Sequence, residues 1–315
     1  MRHALNAVTE ELRRLKTAGV STVTVSDGAM VALRRVVTAR KVGGEKPAAI
    51  LPPVAPPPSA APLRSAAPPP APARAAVPVV PILPAVVVAA LPPPPVVVLP
   101  PGEKKVRWEA LNAQVIADPA CCANLRPGKK VVLGVGSLEA KIMFVGEAPG
   151  AEEEIQGEPF VGPAGQLLTK MIQGMGLARG EVYIGNIMNW RPEMPLDARG
   201  VQFGNRPPTE AEMAYCLPYL RAQIEVVSPD LIVALGATAT QGLLGPGAFK
   251  ALGEVRGTWK EFAGRPLMVT YHPSYILRNQ SNRSKRLIWE DLLKVLERAG
   301  HPITDKQRGF FLDRA

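Results

Sequence analysis

Apolar and polar positions change rhythm several times along the chain, and each change marks an element. Residues 4–18 set Leu5, Val8, Leu12 and Leu15 three and four apart, the spacing of one helical face. Val20 to Val25 alternates as a strand does, and Gly28 to Thr38 fits a second helix. Residues 1–45 thus read as a small helix–strand–helix unit with little capacity for a core of its own. Residues 46–101 are rich in Pro, Ala and Val and have no period. Proline at that density removes N–H donors and favours polyproline II, so the stretch reads as a semi-rigid disordered spacer.

From residue 102 to about 300, short apolar runs alternate with helical patterns, which predicts a parallel sheet covered on both faces. Val131–Gly134 reads as a lead-in strand, and Ile142–Val145, Val182–Ile187, Leu231–Leu235 and Leu267–Tyr271 as four central strands. Helices are expected over Pro163–Met175, with proline near its start, and from Thr209 to about Val227, opened by the capping box Thr209-Glu-Ala-Glu212. Ser284–Arg298 closes the pattern, leaving 301–315 as a tail. The fold class is α/β: a three-layer αβα sandwich around a central four-stranded parallel sheet.

Composition changes this picture only in places. Of 35 prolines, most lie in the spacer, and its Ala and Val inflate the 47% hydrophobic content. The net charge is +10, but residues 1–46 hold +5 of it, the spacer +2, and residues 102–315 only +3. A basic excess favours polyanions such as nucleic acid, and here it would aid encounter more than define a site. Three cysteines, Cys121, Cys122 and Cys216, make no disulfide framework, so a cytoplasmic (cytosol or nucleoid) location is expected. The N-terminus lacks the apolar core of a signal peptide, and prolines interrupt residues 77–100. No membrane contact is expected.

The strand ends deliver the chemistry. In an open α/β sheet, ligands bind beyond the carboxyl ends of the strands. The first central strand runs into Gly146-Glu147-Ala148-Pro149-Gly150, followed by the glycine-flanked Gly157-Glu158-Pro159-Phe160-Val161-Gly162. The second delivers Asn186, and the fourth His272-Pro273-Ser274-Tyr275. Taken singly, a loop phenylalanine is as often core packing, and an asparagine can simply cap a turn. His272 is more informative, because the other two histidines, His3 and His301, lie near the ends. The joint placement favours one crevice.

These stretches, with Tyr-Ile-Gly-Asn-Ile (183–187), Asn-Arg-Pro-Pro (205–208) and His-Pro-Ser-Tyr-Ile-Leu-Arg-Asn (272–279), resemble the uracil-DNA glycosylase superfamily, family 4. The likeness covers about half the chain. It implies a monofunctional enzyme of base-excision repair that flips uracil out of DNA and hydrolyses its glycosidic bond. Gly146, Ala148, Phe160 and Asn186 would form the base pocket, with Phe160 stacking on uracil and the Asn186 amide reading its Watson–Crick edge. His272 would donate to the developing negative charge on uracil O2. Glu147, or less directly Asn205, would position water, since the turn carries Ala148 where a related branch has an aspartate. Pro273, Ser274 and Arg278 would contact the DNA backbone.

The resemblance also implies a [4Fe–4S] cluster held by four cysteines, and here the sequence departs from it. Cys122 and Cys216 stand at two ligand positions, Pro119 stands at a third, and Asn189-Trp190 replaces the last. An intact cluster is disfavoured, no other cofactor is expected, and Trp190 packing would substitute. Residues 193–204 form an insertion before Asn205. The expected partner is uracil-containing DNA, the expected state a monomer, with a protein partner for residues 1–45 or the spacer also open. Two alternatives stay open: the same fold acting on hypoxanthine or xanthine, or a non-catalytic DNA-binding relative.

Overall fold

The computed structural model describes residues 91–197 and 200–312. The N-terminal unit and most of the spacer lie outside them. Helices α1 (Lys104–Ala117) and α2 (Pro119–Ala123) precede a six-stranded sheet. Its strands are β1 (Val135–Gly136), β2 (Ile142–Gly146), β3 (Tyr183–Asn186), β4 (Leu231–Leu235), β5 (Trp259–Phe262) and β6 (Arg265–Thr270), in spatial order β1-β3-β2-β4-β6-β5. The four inner strands are parallel, as the alternation of elements predicts. The sheet as a whole is mixed, because β1 and β5 pair antiparallel at the two edges. The lead-in strand therefore falls at 135–136, not 131–134. Strand β5 went unseen because it is a half-exposed hairpin arm, turned through Ala263 (φ 51°) and Gly264 (φ 69°), with no apolar run to betray it.

The sheet divides two cores by simple alternation. On β2, Ile142 and Phe144 join the cluster under α4 (Pro163–Gly174) and α9 (Asn282–Arg298), whereas Met143 and Val145 join that under α5 (Glu210–Val227) and α6 (Ala237–Leu244). Both faces of the strand are buried, which is why its sequence is uniformly apolar. The expected capping box forms: Thr209 Oγ1 accepts from the Glu212 N–H at 3.2 Å, and Glu212 Oε2 accepts from the Thr209 N–H at 2.7 Å.

Packing runs beyond the boundaries drawn from composition. Leu91, Val97 and Leu99, within the Pro-rich stretch, pack against a third core cluster between α1, α2 and α5. At the other end, Ile303 and Phe310 lie against the first core, and Trp289 Nε1 donates to the Gln307 carbonyl at 2.6 Å. Residues 301–312 are thus part of the domain. Composition misplaced both edges because a few apolar side chains among prolines or charges suffice to dock a segment that has no periodicity.

Candidate active site

The carboxyl ends of β2, β3, β4 and β6 open on one cleft of about 620 Å³. It is lined by Glu147, Phe160, Asn186 and His272 together, so the structure brings these four sequence candidates into one place. Ala148, Asn205, Ser274 and Arg278 also line it. Gly146 lies beneath: a Cβ there would fall 2.4 Å from the Phe160 ring and 2.5 Å from Asn186 Oδ1. Only glycine lets the ring and the amide approach the strand so closely.

Asn186 ends β3 and is 6% exposed, and its Oδ1 has no hydrogen-bond partner. A buried carbonyl acceptor without a donor is costly, and natural sites keep one mainly where a ligand completes it. Phe160 is held at φ 56°, a left-handed conformation unusual for a phenylalanine, with its ring 5.6 Å from the His272 ring. Glu153 secures this geometry. One carboxylate oxygen accepts from the N–H groups of Val161 (3.0 Å) and Gly162 (2.9 Å), and the other from Gly150 (3.1 Å). Glu153 is therefore a clamp joining the turn at Gly146–Gly150 to the phenylalanine loop.

His272 caps α8 (Pro273–Arg278), its Nδ1 accepting the Ser274 backbone N–H at 3.2 Å. That bond leaves the ring proton on Nε2. Burial, aided by the Arg278 charge, lowers its pKa to about 4, so the imidazole is neutral at pH 7. Glu147 sits opposite. Burial raises its pKa, and a hydrogen bond with Thr238 opposes the rise. Thr238, in the first turn of α6, is a site residue the sequence reading missed; its position just past Gly236, at the end of the third parallel strand, was the available signal.

Other candidates are placed differently. Asn205 lines the cleft, but its Oδ1 accepts from Arg191 Nε at 2.8 Å, leaving its amide N–H₂ as the uncommitted end. A donor of that kind can orient water but cannot take its proton. Pro273 is buried at the start of α8, so the half-buried Ser274 and the exposed Arg278 are the sequence candidates of that loop that line the cleft.

The residues at the implied cluster positions do not fit a four-thiolate site. Cys122 is exposed, its Sγ donating to the Ile116 carbonyl at 3.2 Å, while Cys121 turns inward to share the third core cluster with Cys216. The inward cysteine is thus Cys121 and not Cys122, which the resemblance placed at a ligand position, because α2 buries its Ala120-Cys121 face. Burial pushes both inner thiols up, which keeps them protonated. Trp190, 1% exposed, belongs to the same cluster, its ring 6.1 Å from that of Tyr215. Beside it, Asp118 accepts from the hydroxyls of Tyr215 and Tyr219, each at 2.8 Å, and from the Cys121 N–H at 2.6 Å. Burial raises the Asp118 pKa, but these bonds outweigh it and hold the carboxyl below its ordinary value. Among the described residues, no group of three His, Cys, Asp or Glu could hold a metal ion.

Fold and site define an α/β protein with a cleft at its strand ends that closes an aromatic ring, a carboxamide, a neutral imidazole and a carboxylate around one volume. The profile of the uracil DNA glycosylase superfamily matches residues 133–293, and the chain belongs to that family. It is 42% identical over 188 residues to the type-4 uracil-DNA glycosylase of Thermotoga maritima, covering 59% of this chain and 92% of the relative. The type-4 enzyme of Saccharolobus solfataricus is 40% identical over 205 residues, covering 61% and 89%. The type-5 uracil-DNA glycosylase of Pyrobaculum aerophilum is 32% identical over 184 residues, covering 52% and 73%.

Proposed function

We propose that the protein is a monofunctional uracil-DNA glycosylase that removes uracil from DNA by hydrolysis, opening base-excision repair. The observation that carries this reading is the unpartnered, buried Oδ1 of Asn186 beside the Phe160 ring. Uracil N3–H satisfies that acceptor and uracil O4 accepts from the same amide's N–H₂, whereas cytosine presents the reverse pattern and leaves both amide groups unpaired. Phe160 stacks on the flipped base.

When the bond from C1′ to N1 breaks, negative charge gathers on uracil O2 and positive charge on the sugar. The neutral His272 donates Nε2–H to O2, and as a fixed donor in a partly dried cleft it stabilises the transition state more than the ground state. Glu147, ionised, holds the water that adds to C1′ and stabilises the sugar cation; Thr238 orients it. Arg278 and Ser274 meet the phosphates. The reaction runs without an iron–sulfur cluster, and the enzyme acts as a monomer in the cytoplasm.

The test is uracil release from single- and double-stranded uracil oligonucleotides, beside a panel holding hypoxanthine and xanthine. Release of uracil alone, by a protein with no visible absorption after anaerobic purification, is expected. No release of any base at micromolar enzyme would sink the reading, and release of purines alone would change its substrate.

A further inference from the structure

The loop at 193–204 stands between residues of the cleft wall and carries an exposed apolar side chain. Its two feet belong to the cleft, since Pro192 precedes it and Asn205 and Arg206 follow it, and all three line the opening. The feet are tied together. Arg191 donates from Nε to Asn205 Oδ1 (2.8 Å) and from Nη2 to the Gly204 carbonyl (2.7 Å), and Arg206 Nε donates to the Glu193 carbonyl at 2.7 Å. Gln202, 5% exposed, turns inward, donating to the Pro192 carbonyl at 3.1 Å and accepting from the Met194 N–H at 3.1 Å.

With Gln202 and Gly204 pinned, Phe203 between them is turned out and is 89% exposed. Among the described residues, nothing covers this ring. Two residues span at most about 7 Å, so the ring stands at the rim that holds Asn205.

We propose that Phe203 stacks on the DNA base next to the extrahelical uracil, replacing the stacking that the neighbour loses when uracil enters the cleft. This rests on the base-excision reading. The commitment to a nucleobase follows from the position: an exposed, flat apolar ring whose two chain neighbours are pinned, two residues from the cleft residue Asn205, with Arg278 on the same opening for the backbone. Phe203 would therefore set how efficiently uracil is taken from stacked DNA, and it takes no part in the chemistry.

The test is F203A, F203W and F203L in the full chain, with duplexes carrying uracil between normal nucleotides or between abasic ones. Base–aromatic stacking is worth about 1–3 kcal/mol, so F203A should lower kcat/KM about tenfold on normal flanks and less than about twofold on abasic flanks. F203W should retain activity and F203L should recover only part of it. The same proteins, bound to DNA with 2-aminopurine beside the uracil position, give a readout independent of catalysis: wild type should quench the probe's fluorescence and F203A should not. Equal losses on both flanks, or no change in release and quenching, would overturn the proposal. If wild type releases no base, the base-excision reading fails while quenching still decides whether Phe203 stacks.

Discussion

At the scale of single residues, the proposed chemistry rests on groups each limited to one state. His272 is neutral with its proton on Nε2, Asn186 keeps an acceptor unpaired, and Glu147 is held by Thr238 in a cleft that makes its charge costly. Replacing a fixed transition-state donor of this kind costs roughly 10²–10³ in rate, so H272A should lower kcat by about that factor with little change in KM. N186D should lose uracil release more completely, since a carboxylate cannot donate to O4. The pH dependence follows from the same states. The His272 pKa is depressed to about 4, so no fall in kcat/KM is expected near the ordinary histidine value. The acid limb should instead follow protonation of Glu147, above the usual glutamate range, because burial raises its pKa. A limb near pH 6.5 that vanishes in H272A would contradict this. His272, Asn186 and Glu147 were readable as candidates in the sequence because the strand ends of such sheets face the ligand cleft. Thr238 and Glu153 were not, since their parts lie in hydrogen bonds to residues far along the chain or across a loop.

At the scale of elements, α1, α2 and α5 pack a third core from ordinary side chains. Trp190 supplies volume, and Asp118 supplies a carboxylate shared by two tyrosines and a backbone N–H. W190A should destabilise the domain by about 3–5 kcal/mol through the cavity it leaves. D118A should cost about 3 kcal/mol, because it strands two buried hydroxyls and uncaps α2. Thermal and denaturant unfolding would check both, and near-neutral effects would mean the region tolerates collapse. The stability Asp118 contributes is present above the ordinary aspartate pKa of 3.8 and is lost as pH falls through its lower folded value. The sequence left open which of Cys121 and Cys122 faces inward. That was decided by α2, whose short amphipathic turn buries Cys121 and leaves Cys122 outside.

At the scale of the whole chain, residues 1–81 carry +7 of the +10, while the three core clusters of the described residues lie within 91–312. A chain beginning at Ile82 should therefore keep its melting temperature and its kcat. Its KM for DNA should rise, and the dependence of KM on salt should become shallower, because fewer phosphate counterions are released on binding. An unchanged salt slope would mean that the basic segment does not touch DNA. No helix among the described residues is long and apolar enough to cross a membrane.

The amino-acid pattern alone determined the four parallel strands, the capped helix that follows Thr209, and the turn at Gly146–Gly150. Each depends on local periodicity or on chemistry within a few residues, such as a strand apolar on both faces or a threonine three residues before a glutamate. Only the tertiary structure decided the antiparallel edges, the docking of residues 91–101 and 301–312, the inward turn of Cys121 and the exposure of Phe203. Those depend on what lies across the fold. A half-exposed strand, a proline-rich segment and a loop phenylalanine have no distinctive rhythm, and their roles are set by partners the chain brings to them from a distance.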